Sequence, residues 1–300
     1  MHEITAAPAG KKGAFRALES FMNGLFLLCG LIAVGLVLFI SIYLILSGLP
    51  AIREIGPVAF LFGPTWASTA ADPRFGILPF ILTSVYGTAG SIVIGVPVGL
   101  FTAIFLAKVA PARVAAVVRP AVDLLAGIPS VVYGLVGMIV LVPAVRELFH
   151  LPDGASLFSA MIVLAIMILP SIISVSETAL KAVPREYEEA SLALGATHIE
   201  TVFRVSVPAA GSGIAAAVVL GIGRAIGEAM AVMMVAGNVA NMPSLFSSVR
   251  FLTTAVASEM SYAGVGSLQQ QALFSIALVL FVFIMLINVV LNRLLKKGKG

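Results

Sequence analysis

Two charged residues, Arg224 and Glu228, stand four positions apart in an otherwise uncharged apolar run that begins at Ser206 and ends at Arg250. Residues with this spacing share one face of a helix. A guanidinium group can hold an oxyanion through two parallel hydrogen bonds. A neighbouring carboxylate can accept a hydrogen bond from an oxyanion that still carries a proton. The pair therefore fits a path for an anion, and it also fits a structural ion pair that neutralises itself.

A second polar feature is the charged segment from Val183 to Pro208, which separates two long apolar runs. Pro184 suits the first position of a helix, and the three glutamates that follow it suit the positive end of the helix dipole. Gly195 can adopt the left-handed conformation that ends a helix. Thr197 and Glu200 have the spacing of a capping box. We therefore predict two short helices joined by a glycine elbow.

The predicted helix pair carries an apolar stripe. Such a stripe beside charged positions is typical of a segment that inserts into a groove of another protein. The alternative is a solvated connector that contacts nothing. The stripe comprises Leu192, Ala196, Ile199 and Phe203.

The elements that position these residues are membrane-spanning helices. The chain of 300 residues is 60% hydrophobic and only 11% charged, which is too little polar surface to cover a soluble globule. A helix needs about 20 apolar residues to cross a bilayer. We expect an all-α, polytopic membrane protein with six transmembrane helices, from the runs Phe21–Ile52, Phe75–Ala107, Leu124–Val145, Gly154–Ser176, Ser206–Arg250 and Ala272–Asn292.

Charge inside a bilayer is costly, on the order of 3 kcal/mol for each group. Arg224 and Glu228 are therefore expected to face protein or water. The glycines and prolines of the core predict kinks or close helix contacts, and the run Gly127 to Ser130 is expected to break a helix and expose backbone N–H groups. Trp66, in the first outer loop, is interpreted as an aromatic anchor at the membrane surface.

Lysine and arginine counts set the orientation. Thirteen lie in one set of loops and four in the other, and the positive-inside rule places the richer set in the cytoplasm. Both termini and the Val183–Pro208 segment are therefore predicted to be cytoplasmic. Topology accounts for the basic loops, so no nucleic-acid partner is expected. The richer set is Lys11, Lys12, Arg16, Lys108, Arg113, Arg119, Lys181, Arg185, Arg204, Arg293, Lys296, Lys297 and Lys299; the other is Arg53, Arg74, Arg146 and Arg250.

The expected organisation is a single domain with a core of membrane-spanning helices. The hydrophilic start precedes an apolar run too long for a signal peptide, so the first helix is expected to remain uncleaved. The segments are a cytoplasmic N-terminal segment 1–20, a first helix 21–52, an outer loop 53–74, a core 75–237 with the cytoplasmic segment 183–208, an outer loop 238–269, a last helix 270–292 and a basic cytoplasmic tail 293–300.

Catalytic, metal and redox functions find little support in the residues. Cys29 is the single cysteine, and the sequence offers no Cys/His cluster with metal-ligand spacing. It also lacks the glycine-lysine phosphate loop of ATP-hydrolysing proteins. We therefore expect a non-catalytic chain that holds no cofactor.

The cytoplasmic segment resembles a known motif. Glu189-Ala190-Ser191, then Gly195, then Val205 to Pro208 is similar to the EAA loop of permease subunits in bacterial ABC importers. Ser191 replaces the usual second alanine, and valines replace two larger apolar residues. In that family the loop sits in a cleft of a separate ATPase subunit. The resemblance therefore implies that Glu189, Ala190 and Gly195 couple the chain to an ATPase.

Three further stretches resemble the phosphate importers of this class, of the PstC type. They are Gly221 to Val232, Gly127 to Gly134, and Trp66 followed by Asp72 to Pro79. Ala229 replaces a more usual threonine. The resemblance implies the type I permease fold and a bacterial inner-membrane location. It also implies that Arg224 and Glu228 belong to the phosphate route.

The same resemblance implies partners. These are a homologous permease of the PstA type, an ATPase dimer of the PstB type, a periplasmic phosphate-binding protein of the PstS type, and membrane lipid. The residues alone leave alternatives open: a stand-alone secondary anion transporter or channel, and an ABC permease for another oxyanion such as sulfate or molybdate.

Overall fold

The computed structural model describes residues 9–297, and helices dominate this stretch of the chain. Residues 1–8 and 298–300, which belong to the predicted cytoplasmic end segments, lie outside the described residues. The helices are α1 Ala9–Ile55, α2 Pro57–Phe62, α3 Leu78–Ile104, α4 Ala112–Gly127, α5 Ser130–Val136, α6 Val142–Leu148, α7 Leu157–Lys181, α8 Arg185–Ala193, α9 His198–Thr201, α10 Val207–Ala209, α11 Gly211–Gly227, α12 Met230–Val235, α13 Leu252–Glu259 and α14 Leu268–Lys297.

Three π-helical segments and one short strand pair complete the fold. The π-helical segments are π1 Phe105–Val109, π2 Gly137–Leu141 and π3 Val202–Ser206. The segment π1 continues α3, and π2 joins α5 to α6 into one continuous helical stretch. The strands β1 Trp66–Ala67 and β2 Arg74–Phe75 pair antiparallel, with Trp66 opposite Phe75.

Among the described residues, five helical stretches are long and apolar enough to cross a membrane. A sixth candidate is a pair of helical stretches, His198–Ala209 and Gly211–Gly227, that meet at a bend of 70°. The predicted all-α architecture with six spans is confirmed when this bent pair is counted as one span. The five stretches are Leu18–Ile55, Leu78–Val109, Ser130–Leu148, Leu157–Lys181 and Leu268–Val290.

The centre of the molecule is the packing of α7 against α3 and α11. Glycines let these helices approach closely, as small residues do in membrane bundles. A Cβ atom at Gly95 would lie 2.8 Å from Ile168, and one at Gly99 would lie 2.8 Å from Ile172. These contacts confirm the predicted close helix packing at both glycines.

The first helix lies outside this core. Much of α1 is exposed, and α14 packs against its second half. The closest approach is at Gly48, where a Cβ atom would lie 3.0 Å from the backbone of Phe274 and Ser275. The Ser275 hydroxyl donates a hydrogen bond to the Gly48 carbonyl.

The outer loops are held by a buried polar cluster. Trp66 is only 7% exposed, and its indole N–H donates to the Glu259 carboxylate at 3.0 Å. Glu259 also accepts a hydrogen bond from Ser68 and pairs with Arg250. The prediction that Trp66 is a membrane-surface anchor is therefore wrong. A buried indole needs an acceptor, and the one it uses comes from a residue 193 positions further along the chain.

Candidate functional site

Arg224 lies in the last turn of α11, where its side chain is half-buried. Among the residues whose side chains the structure describes, no ion pair or hydrogen bond engages its guanidinium group. The described arginines Arg119 and Arg250, by contrast, are held by glutamates. Arg224 therefore keeps its hydrogen-bond donors available for an anion.

Glu228 does not share a helical face with Arg224, and this corrects the sequence-based prediction. The helix α11 ends at Gly227, and Glu228 is extended, with φ −74° and ψ 129°. The alternative, a structural ion pair with Arg224, is also absent from the residues that the structure describes. Glycine is a poor helix former, which favours an end at Gly227.

The Glu228 carboxylate instead caps the next helix. One of its oxygens accepts a hydrogen bond from the backbone N–H of Ala231 at 3.0 Å, near the start of α12. Its backbone carbonyl accepts a bond from the Thr253 hydroxyl at 2.7 Å, which links the break to α13. Negative charge is favourable at a helix N-terminus, so Glu228 has a structural role even without a ligand.

The break at Glu228 has a counterpart at Ile128. There α4 ends at Gly127, and Ile128 is extended with φ −69° and ψ 127°, almost the same angles as Glu228. At both breaks the backbone N–H bonds to the carbonyl three residues earlier. The predicted helix break in the run Gly127 to Ser130 is confirmed, and α5 begins at its last residue.

The two breaks lie close together because α5 packs against α12. A Cβ atom at Gly134 would lie 2.8 Å from the Cα of Ala231. The Tyr133 hydroxyl spans the first break by donating a hydrogen bond to the Leu125 carbonyl at 2.7 Å. The structure thus brings Arg224 and both breaks into one region, which we call the break site: Gly127–Tyr133 with Arg224–Ala231.

From the sequence, Tyr133 stands out only as a member of a motif. No spacing rule connects it with Arg224, because the two residues are far apart in the chain. The signal that could have identified it is the motif itself, in which a tyrosine follows a glycine-proline break by one helical turn.

The predicted cytoplasmic helix pair is present. Gly195 has φ +88°, the left-handed conformation expected of the elbow. Thr197 and Glu200 form the predicted capping box, with each side chain bonded to the backbone N–H of the other. Pro184, predicted as the first helical residue, is instead the cap residue of α8, which begins one position later at Arg185. We call the segment Val183–Pro208 the coupling loop.

One face of the coupling loop is open. Glu189, Ala190 and Gly195 are all exposed. Ala196, a member of the predicted stripe, is half-buried, whereas Leu194 was not predicted to be in the stripe and is 90% exposed. The exposed large apolar side chains of this face are Tyr187, Leu192, Leu194, Ile199 and Phe203.

The opposite face of α8 is tied to the rest of the chain. The Glu188 carboxylate pairs with Lys108 of π1 and accepts a hydrogen bond from the Ser206 hydroxyl at 2.8 Å. Burial by itself raises the pKa of Glu188, but the bonds from Lys108 and Ser206 outweigh burial, so the pKa is lowered. Glu188 therefore remains ionised at neutral pH. From the sequence alone Glu188 is only a helix-dipole residue, since nothing local connects it with Lys108.

Known proteins resemble this chain over most of its length. The family model described as "Binding-protein-dependent transport system inner membrane component" matches residues 95–297. A probable ABC transporter permease protein, YqgH, of Bacillus subtilis is 41% identical over 272 residues, which is 88% of each chain. The phosphate transport system permease protein PstC of Haemophilus influenzae is 35% identical over 300 residues, which is 93% of each chain.

Solved structures agree on the fold. A bacterial alginate ABC transporter, crystallised with a periplasmic protein carrying an alginate pentasaccharide, has a chain that matches with a TM-score of 0.58 at 16% identity. The match covers 93% of this chain and 95% of that one. The type I permease fold predicted from the resemblance is the fold observed. The chain belongs to the family of binding-protein-dependent transport system inner membrane components, the membrane-spanning permeases of ABC importers.

Proposed function

We propose that this chain is the PstC-type permease subunit of an ATP-driven importer of inorganic phosphate. The observation that carries the proposal is the free guanidinium group of Arg224 at the break site. Phosphate carries between one and two negative charges at neutral pH and presents oxygens that match a guanidinium group. A fixed positive charge inside the bundle lowers the cost of moving such an anion across the bilayer.

Relatives support phosphate as the substrate. The Haemophilus influenzae relative is named a phosphate transport permease. Proteins with that name in Mesorhizobium japonicum and in Mycobacterium leprae are each 34% identical to this chain. These names describe those proteins, and the same substrate for this chain is our inference.

Arg224 and Glu228 have different roles in this proposal. Arg224 binds the anion through its guanidinium group. One oxygen of Glu228 is committed to the N–H of Ala231. Its other oxygen can accept a hydrogen bond from a protonated phosphate oxygen. Sulfate carries no such proton at neutral pH, so sulfate offers no hydrogen bond to the Glu228 carboxylate and is disfavoured there.

The proposed partners follow from the family. A permease of a binding-protein-dependent system works with a binding protein, an ATPase and a second permease. We assign these as PstS-type, PstB-type and PstA-type proteins. In this proposal ATP and magnesium are bound by the ATPase dimer, and this chain catalyses no reaction.

In this proposal, the coupling loop transmits the energy of ATP hydrolysis from the ATPase to the transport helices. Glu189, Ala190 and Gly195 lie on its exposed face beside a group of apolar side chains. An amphipathic helix with such a face fits a groove of a partner protein. Closure of the ATPase dimer on ATP then moves the loop, and the transport helices alternate between inward-open and outward-open states. The binding protein releases phosphate to the outward-open state.

The test is radiolabelled phosphate uptake by proteoliposomes that contain the chain with its co-purifying subunits. Binding protein is added outside, and ATP is enclosed or omitted. The proposal predicts uptake only with enclosed ATP, competition by arsenate and no competition by sulfate. Uptake that does not require ATP and depends on a proton gradient would identify the chain as a secondary transporter. Competition by sulfate or molybdate would assign another oxyanion.

A further inference from the structure

The Glu188 carboxylate lies between three segments of the chain. Lys108 of π1 forms an ion pair with it, and Ser206 of π3 donates a hydrogen bond to it. Glu188 itself belongs to α8. One carboxylate therefore joins both arms of the coupling loop to the inner end of α3. Its two partners both lie in π-helical segments, which are frequent at functional sites.

This ion pair is not a surface contact. The side chain of Lys108 is 11% exposed and that of Glu188 is 24% exposed, while Ser206 is fully buried. The pair between Arg74 and Asp72, by comparison, is 66% and 86% exposed. Removing one partner of a largely buried pair leaves the other charge without compensation. Separating Lys108 from Glu188 is therefore costly, and the two side chains are expected to move together.

The segment π1 is also tied to the transport helices. The carbonyl of Leu106, two residues before Lys108, accepts a hydrogen bond from the Arg119 side chain of α4 at 3.1 Å. Arg119 in turn pairs with Glu177 of α7 at 2.6 Å, and Lys181 pairs with the same carboxylate oxygen at 2.6 Å. Thus π1 is connected to the coupling loop on one side and to α4 and α7 on the other.

The helix α4 leads directly to the break site. It runs from Ala112 to Gly127, and the first break follows at Ile128. A displacement of π1 that moves Arg119 therefore acts on the helix that ends at this break. The exposed face of α8 remains free for the ATPase, because Glu188 and Ser191 face inward and Ser191 bonds to Thr201 at 2.9 Å.

We propose that Lys108 is a positioning residue that transmits movement of the coupling loop through π1 to the inner ends of α4 and α7. Glu188 is its partner on the loop. The inference rests on the proposed function, because it assigns a route by which ATPase closure reaches the transport helices. Lys108 lies in π1, outside both the break site and the coupling loop.

The test measures phosphate transported per ATP hydrolysed in proteoliposomes that contain the complete complex. Lys108→Met keeps a long side chain and removes the charge. The complex is expected to assemble and to hydrolyse ATP, while phosphate moved per ATP falls about fivefold or more. Lys108→Arg keeps the charge and is expected to restore most of the ratio. Arg113→Met removes an exposed positive charge from the same cytoplasmic stretch, and its ratio is expected to match wild type.

Several results would overturn the inference. An unchanged ratio in Lys108→Met would do so, as would a Lys108→Arg complex that is as impaired as Lys108→Met. Loss of assembly in both Lys108→Met and Glu188→Gln would show that the pair serves folding alone. An assembled Lys108→Met complex that hydrolyses no ATP would assign Lys108 to ATPase activation instead. A wild-type complex that moves no phosphate with ATP would count against the proposed function.

Discussion

At the scale of single residues, the structure separates two charges that the sequence places together. Arg224 lies in the last turn of α11, where no described side chain pairs with its guanidinium group, and Glu228 caps α12. Because α11 ends between the two residues, Glu228 does not neutralise the charge of Arg224. The positive charge therefore stays available, while the carboxylate fixes the backbone at the break.

The role of Glu228 can be tested with Glu228→Gln. The amide oxygen can still accept the hydrogen bond from Ala231, so the α12 cap and the assembled complex should persist. The amide N–H₂ group replaces an acceptor with a donor and removes the negative charge, so the bias against sulfate should weaken. Competition of sulfate against labelled phosphate uptake measures this change.

A control separates capping from selection. Glu228→Ala removes the hydrogen bond from the backbone N–H of Ala231. The free energy of unfolding should fall by about 1 kcal/mol, which is typical of a lost helix cap. A thermal midpoint that is lowered in Glu228→Ala, but not in Glu228→Gln, would fit the capping role. If sulfate competes no better against Glu228→Gln than against wild type, Glu228 does not select the substrate.

At the scale of elements, the coupling loop depends on one backbone conformation. Gly195 has φ +88°, and no atom lies within 4 Å of the position of a Cβ atom there. A side chain is therefore excluded by backbone strain and not by crowding. A non-glycine residue in the left-handed region costs roughly 1–2 kcal/mol.

This conformation predicts the effect of substitutions at Gly195. Gly195→Ala should weaken coupling moderately, and Gly195→Asp should weaken it more, because it adds a charge to the docking face. Transport driven by ATP, measured against ATPase co-purification, reports the change. Gly211→Ala is the matched control, since Gly211 also has open space around it but has no positive φ. Wild-type transport by Gly195→Asp would argue against the coupling-loop assignment.

The sequence predicted the elements well where the residues that determine the structure lie close together in the chain. The capping box of Thr197 and Glu200, the Gly195 elbow and the break after Gly127 all follow from residues within a few positions of one another. The end of α11 at Gly227 was not predicted, because a glycine within an apolar run is compatible with a continuous helix. The hydrogen bonds that Glu228 accepts from Ala231 and Thr253 at this end depend on tertiary packing.

Contacts between distant residues could not be predicted from one sequence. Trp66 bonds to Glu259, and Lys108 pairs with Glu188 across 80 positions. In both cases periodicity and capping rules give no information, since the partners belong to different elements. The predictions for Arg224 and for the exposed residues of the coupling loop therefore came from sequence motifs. The contacts of Trp66 with Glu259 and of Lys108 with Glu188 were found only in the structure.

At the scale of the whole molecule, the break site lies within the helix bundle, and the exposed face of the coupling loop lies at one end of it. The helix α7 joins these regions, because it packs on α3 and α11 and carries Glu177 close to its cytoplasmic end. The chain is an inner membrane component by family. Its two ends and the coupling loop are expected on the cytoplasmic side.

This topology can be checked with single cysteines in a Cys29→Ala background. Tyr262 is 87% exposed in the predicted outer loop, and Leu194 is 90% exposed in the coupling loop. A membrane-impermeant maleimide applied to spheroplasts should label Tyr262→Cys directly. It should label Leu194→Cys only after the membrane is permeabilised. Labelling in the reverse order would invert the topology and remove the coupling loop from the cytoplasm.

The most direct test of the proposed phosphate path is uptake by the complete complex with Arg224→Gln. Glutamine keeps hydrogen-bonding capacity and removes the positive charge, so we predict that ATP-dependent uptake is lost while the ATPase still co-purifies with the chain. Normal phosphate uptake by that assembled variant would contradict the assignment of Arg224 to the phosphate path.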